Sequence, residues 1–170
     1  MGAVATGVRF PAIGGTYVLR LDAIQGGTCR IGRLGWVHLP AGVFFYVGSA
    51  LGPGGLRGRL GRHARPLERR HWHVDHLRQL ADVTAAWWLA DGRRREHVWA
   101  RALAGARGLE VPVPGFGASD CDCLAHLFLR TGKGWSGAMM SALLADAAGV
   151  DAGRIQSWQP PSTDGGCRNN

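Results

Sequence analysis

Residues 46–70 hold the side chains best suited to chemistry on a phosphate. Tyr46 opens the stretch, Arg57, Arg59, Arg62, Arg65, Arg69 and Arg70 follow with His63 among them, and Glu68 is its only acid. A guanidinium presents a planar fork that pairs with phosphate oxygens, so the expected chemistry is binding to, or reaction at, a phosphodiester. The chain has two tyrosines, Tyr17 and Tyr46, each in an apolar run. If those runs lie side by side or share a face, both hydroxyls meet beside the arginines, where positive charge favours loss of the phenolic proton. Taken singly, each reads as an ordinary half-buried strand tyrosine.

Other side chains could hold a metal. Glu96 follows three arginines, 93–95, at the start of a helical pattern. It is a candidate metal carboxylate, or simply a first-turn acid favoured by the helix dipole. Glu68 and Glu110 fall in expected loops. In the run His71-Trp72-His73-Val74-Asp75-His76, a strand would put His71, His73 and Asp75 on one face, whereas a helix would pair Trp72 with His76. That run reads as a metal site, as a packing corner, or as a wall for a nucleic-acid strand. Cys121, Cys123 and His126 are zinc-ligand types, but a structural zinc takes four ligands and Cys-x-Cys is not the usual knuckle spacing. A reduced pair of cysteines is expected there, and zinc is not. The glycines at 52–58 form neither a Walker motif nor GxGxxG, although the backbone N–H groups of Gly54 and Gly55 can meet a phosphate where a helix opens.

Charge supports a polyanion partner. The chain has 170 residues, a formal net charge of +8 and a pI of about 10.6. Nucleic acid, DNA foremost, is the expected partner, and no membrane is expected. All Lys and Arg residues except Lys133 are arginine. A GC-rich genome explains that ratio but not the clustering. The four cysteines are too sparse for a secreted disulfide scaffold, and no secretory signal or membrane-length apolar run is seen. A cytoplasmic protein is expected.

The elements that must position these residues follow from periodicity. A strand is expected over 15–22, a second over 29–38 with a bulge at Gly32 or Gly35, and a third, buried, over 43–47. Short turns join them, so the expected core is a three-stranded antiparallel meander. A helix should begin at Gly55 or Leu56 and end before Pro66. Leu56 and Leu60 would face the core, with Arg59, Arg62 and His63 on the other side. Further expectations are a helix from His73, a strand over 83–90, and a helix over 93–106 with Val98 inward and Asp91 as N-cap. A short strand within 124–130 and a helix over 136–148 complete them. The domain should span 14–150, with a flexible lead at 1–13 and a disordered tail at 151–170. The fold class is α+β.

Gly15-Thr-Tyr17, Tyr46-Val-Gly48 and Leu56-Arg-Gly-Arg59 resemble the GIY-YIG nuclease superfamily. Five ordered segments carry a closer resemblance: 15–21, 46–56, Arg62-His-x-Arg65, 71–75 and 116–128. They resemble a little-studied branch usually described only as a domain of unknown function, joined in some archaea to an endonuclease III domain. The resemblance implies a small antiparallel GIY-YIG-like sheet with extra strands, flanked by helices. It implies a metal-dependent endonuclease hydrolysing DNA phosphodiester bonds, with DNA repair as one setting. Tyr17, Tyr46, Arg59 and His63 would be catalytic, and Glu96 would hold one divalent metal, Mg²⁺ or else Mn²⁺. Arg57, Arg62, Arg65, Arg69 and Arg70 would grip the substrate backbone, and His73, Asp120, Cys121, Cys123 and His126 would support the site. The loop 51–55 is longer than in the superfamily's repair nuclease, and the superfamily's later asparagine has no counterpart, since Asn169 and Asn170 sit in the tail. A non-catalytic nucleic-acid-binding module on the same fold is the alternative, and a structural zinc domain a third.

Overall fold

The computed structural model describes residues 9–67, 72–132 and 134–161. Its centre is β1 (Gly15–Ala23), which pairs antiparallel with β4 (Gly42–Ala50) on one side and β5 (Asp82–Leu89) on the other. With β6 (Leu109–Glu110), β7 (Leu127–Arg130) and β8 (Gln156–Trp158) they form a six-stranded antiparallel sheet ordered β6-β7-β4-β1-β5-β8. The fold is therefore α+β.

Both faces of the sheet are covered, which is why its central strands read as continuous apolar runs rather than alternating ones. Tyr17, Leu19, Leu21, Phe44, Tyr46 and Trp88 point to one face. There they meet α1 (Gly55–His63) and α2 (His73–Leu77). Val18, Phe45, Val47 and Trp87 point to the other, against α3 (Glu96–Ala104) and α4 (Gly137–Ala148). Gly58 and Gly61 lie inside helix α1, each about 1 kcal/mol worse than alanine in a helix interior, whereas Gly55 opens the helix at a φ of 52° that alanine does not accept. Burial of Leu56 and Leu60, worth about 1.5–3 kcal/mol each, offsets that cost, so packing rather than propensity holds α1 in place.

Several expectations change. The second expected strand is two: β2 (Gly27–Ile31) and β3 (Gly35–Leu39) form a separate two-stranded sheet about a 3-10 turn at Gly32–Leu34. Gly32 and Gly35 take φ of 41° and 75°, a left-handed backbone that lets the chain reverse. The meander is thus replaced by direct pairing of β1 with β4. Val98 is exposed rather than inward. Asp91 does not cap α3; it accepts from the Arg93 backbone and from Arg95 Nε. Phe10, expected in a flexible lead, is buried edge-on against Trp88 and Trp158. The expected disordered tail contains β8, which is drawn onto the edge of β5 because Trp158 and Ile155 have apolar surface to bury. Residues 1–8 and 162–170 lie outside the described residues, as does Lys133. Among the described residues no helix is long and apolar enough to cross a membrane.

Candidate active site

In β1, Tyr17 stands opposite Gly48 of β4. Side chains two residues apart share a face, so Tyr46 projects beside Tyr17 on the α1 side. A Cβ at position 48 would meet Tyr17 Cζ and Oη at 2.5 Å, so glycine there is what lets the phenol cross β4. The hydroxyl ends 3.2 Å from His63 Nε2. His63 was expected on the outer side of α1 with Arg59 and Arg62, but it is buried. Positions 56, 60 and 63 follow i, i+4, i+7, which is one helical face.

Burial dominates the electrostatics. It raises the Tyr17 pKa well above the usual phenol value, with Tyr46 and Glu96 adding to the rise and Arg59 opposing it. Tyr46 is raised by burial, then by Glu96, again against Arg59. The expected ease of phenol deprotonation is therefore reversed: Arg59 pulls in that direction and desolvation outweighs it. Burial also lowers His63 to about 3, helped by Arg78 and Arg59 and opposed by Asp75. Tyr17 and His63 thus form a neutral pair at neutral pH.

The arginines divide by what holds them. Arg59 stacks its Cζ 3.8 Å from the Trp72 ring centroid, and Arg62 stacks at 4.2 Å. Both are favourable cation–π distances. Arg62 also forms a two-pronged pair with Asp75, at 2.8 Å from NH2 to Oδ2 and 3.4 Å from NH1 to Oδ1. Asp75 is wholly buried and accepts from the Trp72 backbone as well. Arg62 is thereby bound into the fold while keeping 30% of its side-chain surface exposed. Arg57 and Arg65 are exposed. Together with Arg62 and Arg78 they line a cleft of about 310 Å³ beside α1. Arg69, Arg70, Glu68 and His71 lie outside the described residues.

Glu96 opens α3 on the opposite face of the sheet, yet its charge acts on both tyrosines. Burial would raise its pKa, but the close side chains of His126 and Ser49 and the nearby Arg94 bring it below the ordinary carboxylate value, so it is an anion. Glu96 Oε1 lies 3.1 Å from His126 Nδ1. The buried His126 ring in turn places Nε2 3.4 Å from Cys121 Sγ. Cys123 is raised to about 11 by burial and by Cys121, and donates to the His97 carbonyl at 4.0 Å. Asp120 is exposed and adds a weak negative influence on Tyr46.

The structure therefore brings Tyr17, Tyr46, Arg59, His63 and Glu96 into one electrostatic neighbourhood. His73 serves it from behind: Nδ1 accepts from Gly117 N at 3.2 Å, and its ring packs on Phe116. Phe116 in turn packs against Tyr46. The run 72–76 is thus a packing corner at the start of α2. Sequence reading missed Ser49 and His97. Ser49 gives no signal beyond its place one residue after Gly48. His97 is separated from Cys121 and His126 by the whole β6 region, and only folding unites them.

Residues 16–146 match the family model described as "Domain of unknown function DUF123". No curated protein matches the chain, and no solved structure does. The family model spans most of the sequence, β1 to the body of α4, and on that match the chain belongs to the DUF123 family.

Proposed function

We propose that the protein is a metal-dependent endonuclease that hydrolyses DNA phosphodiester bonds, built like a GIY-YIG nuclease. The observation that carries this reading is that two adjacent phenols, one bonded to His63, feel the charges of both Arg59 and an ionised Glu96. Arg59, held over Trp72, receives a phosphate oxygen and takes up charge as the bond breaks. The bond to His63 fixes the direction of the Tyr17 hydroxyl, so that with Tyr46 it orients the attacking water rather than acting as a phenolate. Arg57 and Arg65 grip the backbone outside the site, with Arg69 and Arg70 in the same role.

Glu96 fits a hard divalent cation, Mg²⁺ or Mn²⁺. It is ionised, keeps 13% of its side-chain surface exposed, and meets His126 at 3.1 Å through Oε1 and Arg94 at 3.8 Å through Oε2, with Ser49 also beside it. One carboxylate with phosphate oxygens and waters is an acceptable Mg²⁺ environment. The cation would neutralise charge on the phosphate. A cytoplasmic setting and a task in DNA repair accompany this reading.

A nucleic-acid-binding module without catalysis is the second reading, favoured by one observation: both phenols are buried and held protonated. The test is incubation of plasmid, flapped and single-stranded DNA with the purified protein and Mg²⁺ or Mn²⁺. Metal-dependent cutting supports the nuclease. Binding at moderate salt with no substrate cut supports the module.

A further inference from the structure

We infer that His97, Cys121 and His126 form a zinc-class transition-metal site distinct from the hard-cation position at Glu96. Their donor atoms all lie within 4.8 Å of one another. They come from the first turn of α3 and from the loop before β7, two segments that this cluster brings together.

The geometry suits such an ion. Tetrahedral zinc with Zn–S of about 2.3 Å and Zn–N of about 2.0–2.1 Å puts sulfur and nitrogen roughly 3.6 Å apart. Cys121 Sγ and His126 Nε2 are 3.4 Å apart, already close to that edge. His126 is buried and fixed, whereas His97 and Cys121 are partly exposed, so small side-chain rotations close the remaining edges. Two imidazoles and a thiolate suit zinc or its near neighbours rather than Mg²⁺. Metal entry displaces the Cys121 thiol proton to solvent. Cys123 lies beside Cys121 and donates to the His97 carbonyl, and the fourth position is assigned to water.

A second observation points the same way. Metal-binding histidines usually donate their other ring N–H to a carboxylate, which sets the tautomer and the ring plane. His126 is placed for that role: Nε2 faces Cys121, and the buried Nδ1, which has no aligned hydrogen bond, lies 3.1 Å from Glu96 Oε1. Local spacing alone argued against zinc, because Cys121-x-Cys123 is not a knuckle. The histidine donor from α3 is what the spacing does not contain. The consequence for Glu96, which rests on the nuclease reading, is that a metal on His126 would lock the carboxylate's orientation at the proposed catalytic position.

The test measures metal, not cleavage. The full chain, purified without chelator, is assayed for zinc by elemental analysis. The apo-protein is then titrated with Co²⁺ and followed by visible d–d and near-ultraviolet thiolate-to-cobalt absorption. The expected result is about one metal per chain with a tetrahedral, thiolate-bearing spectrum. His97→Ala and Cys121→Ser should each lose it with circular dichroism unchanged, Cys123→Ser should keep it, and Glu96→Gln should weaken it by roughly 10-fold or more. Wild-type protein that takes up neither metal overturns the inference. So do folded His97→Ala and Cys121→Ser variants that bind as tightly as wild type, or loss of the site in Cys123→Ser. Zinc bound by a protein that cuts no DNA would leave this site standing and sink the nuclease reading instead.

Discussion

Tyr17 Oη and His63 Nε2 lie 3.2 Å apart, joined across 46 residues of sequence and buried between β1 and α1. The pair ties the proposed catalytic phenol to the helix that carries Arg59, and it makes the fold sensitive to acid. His63 titrates near 3 when folded, against 6.5 for a free histidine. Above pH 6.5 neither state is protonated there and the group contributes nothing to pH dependence. Below it the unfolded chain takes up a proton that the folded one refuses, so stability falls as pH drops from about 6.5 toward 3.

Denaturant unfolding across that window should therefore show a loss attributable to His63 of up to about 1.4 kcal/mol per pH unit. In His63→Phe the slope should be shallower by that share. An unchanged slope would mean that His63 is not held neutral in the fold.

Gly48 is the position where Tyr17 crosses β4, with room for no Cβ. Gly48→Ala should push the phenol aside at a cost on the order of 1–3 kcal/mol, read as a lowered midpoint in thermal unfolding. Gly52, with open space around it, is the control: Gly52→Ala should be nearly silent. Equal midpoints for the two variants would contradict the placement of Tyr17.

Arg62 and Arg57 line the same cleft beside α1 with different expected phenotypes. Arg62→Ala removes the paired guanidinium from buried Asp75, keeps Arg78 nearby, and should cost on the order of 3 kcal/mol of stability. Arg57→Ala, at an exposed site, should stay within about 0.5 kcal/mol. It should instead weaken DNA binding and lower the salt dependence by about one counterion. Urea unfolding and fluorescence-anisotropy titration at several salt concentrations separate the two.

Strands β1, β4 and β5 and helices α1 and α4 were legible in the sequence because their signals are local. The apolar runs around Tyr17 and Tyr46 have strand length, and Ser136 caps α4 by accepting from Met139 N. The Tyr17–Tyr46 juxtaposition was foreseen, since it needed only that two apolar runs be adjacent. Their protonation was not, because desolvation depends on what covers them, and α1 covers them through His63. The reversal at Gly32–Leu34 was read as a bulge within one strand, because a glycine-marked break in alternation is common to both. Arg62 looked like its neighbours in a basic run until folding set it against Asp75. The His97 partnership with Cys121 and His126 has no sequence period at all, because it joins the start of a helix to a distant loop.

The central claim is that Glu96 and Tyr17 act at one phosphate, and a paired measurement of cleavage and binding tests it most directly. DNA cutting with Mg²⁺ and DNA affinity are measured side by side for wild type, Glu96→Ala and Tyr17→Phe, with folding checked by circular dichroism. Cutting by wild type and a fall of about 100-fold or more in both variants, with affinity changed little, are expected. Cutting at the wild-type rate by either folded variant would contradict the claim.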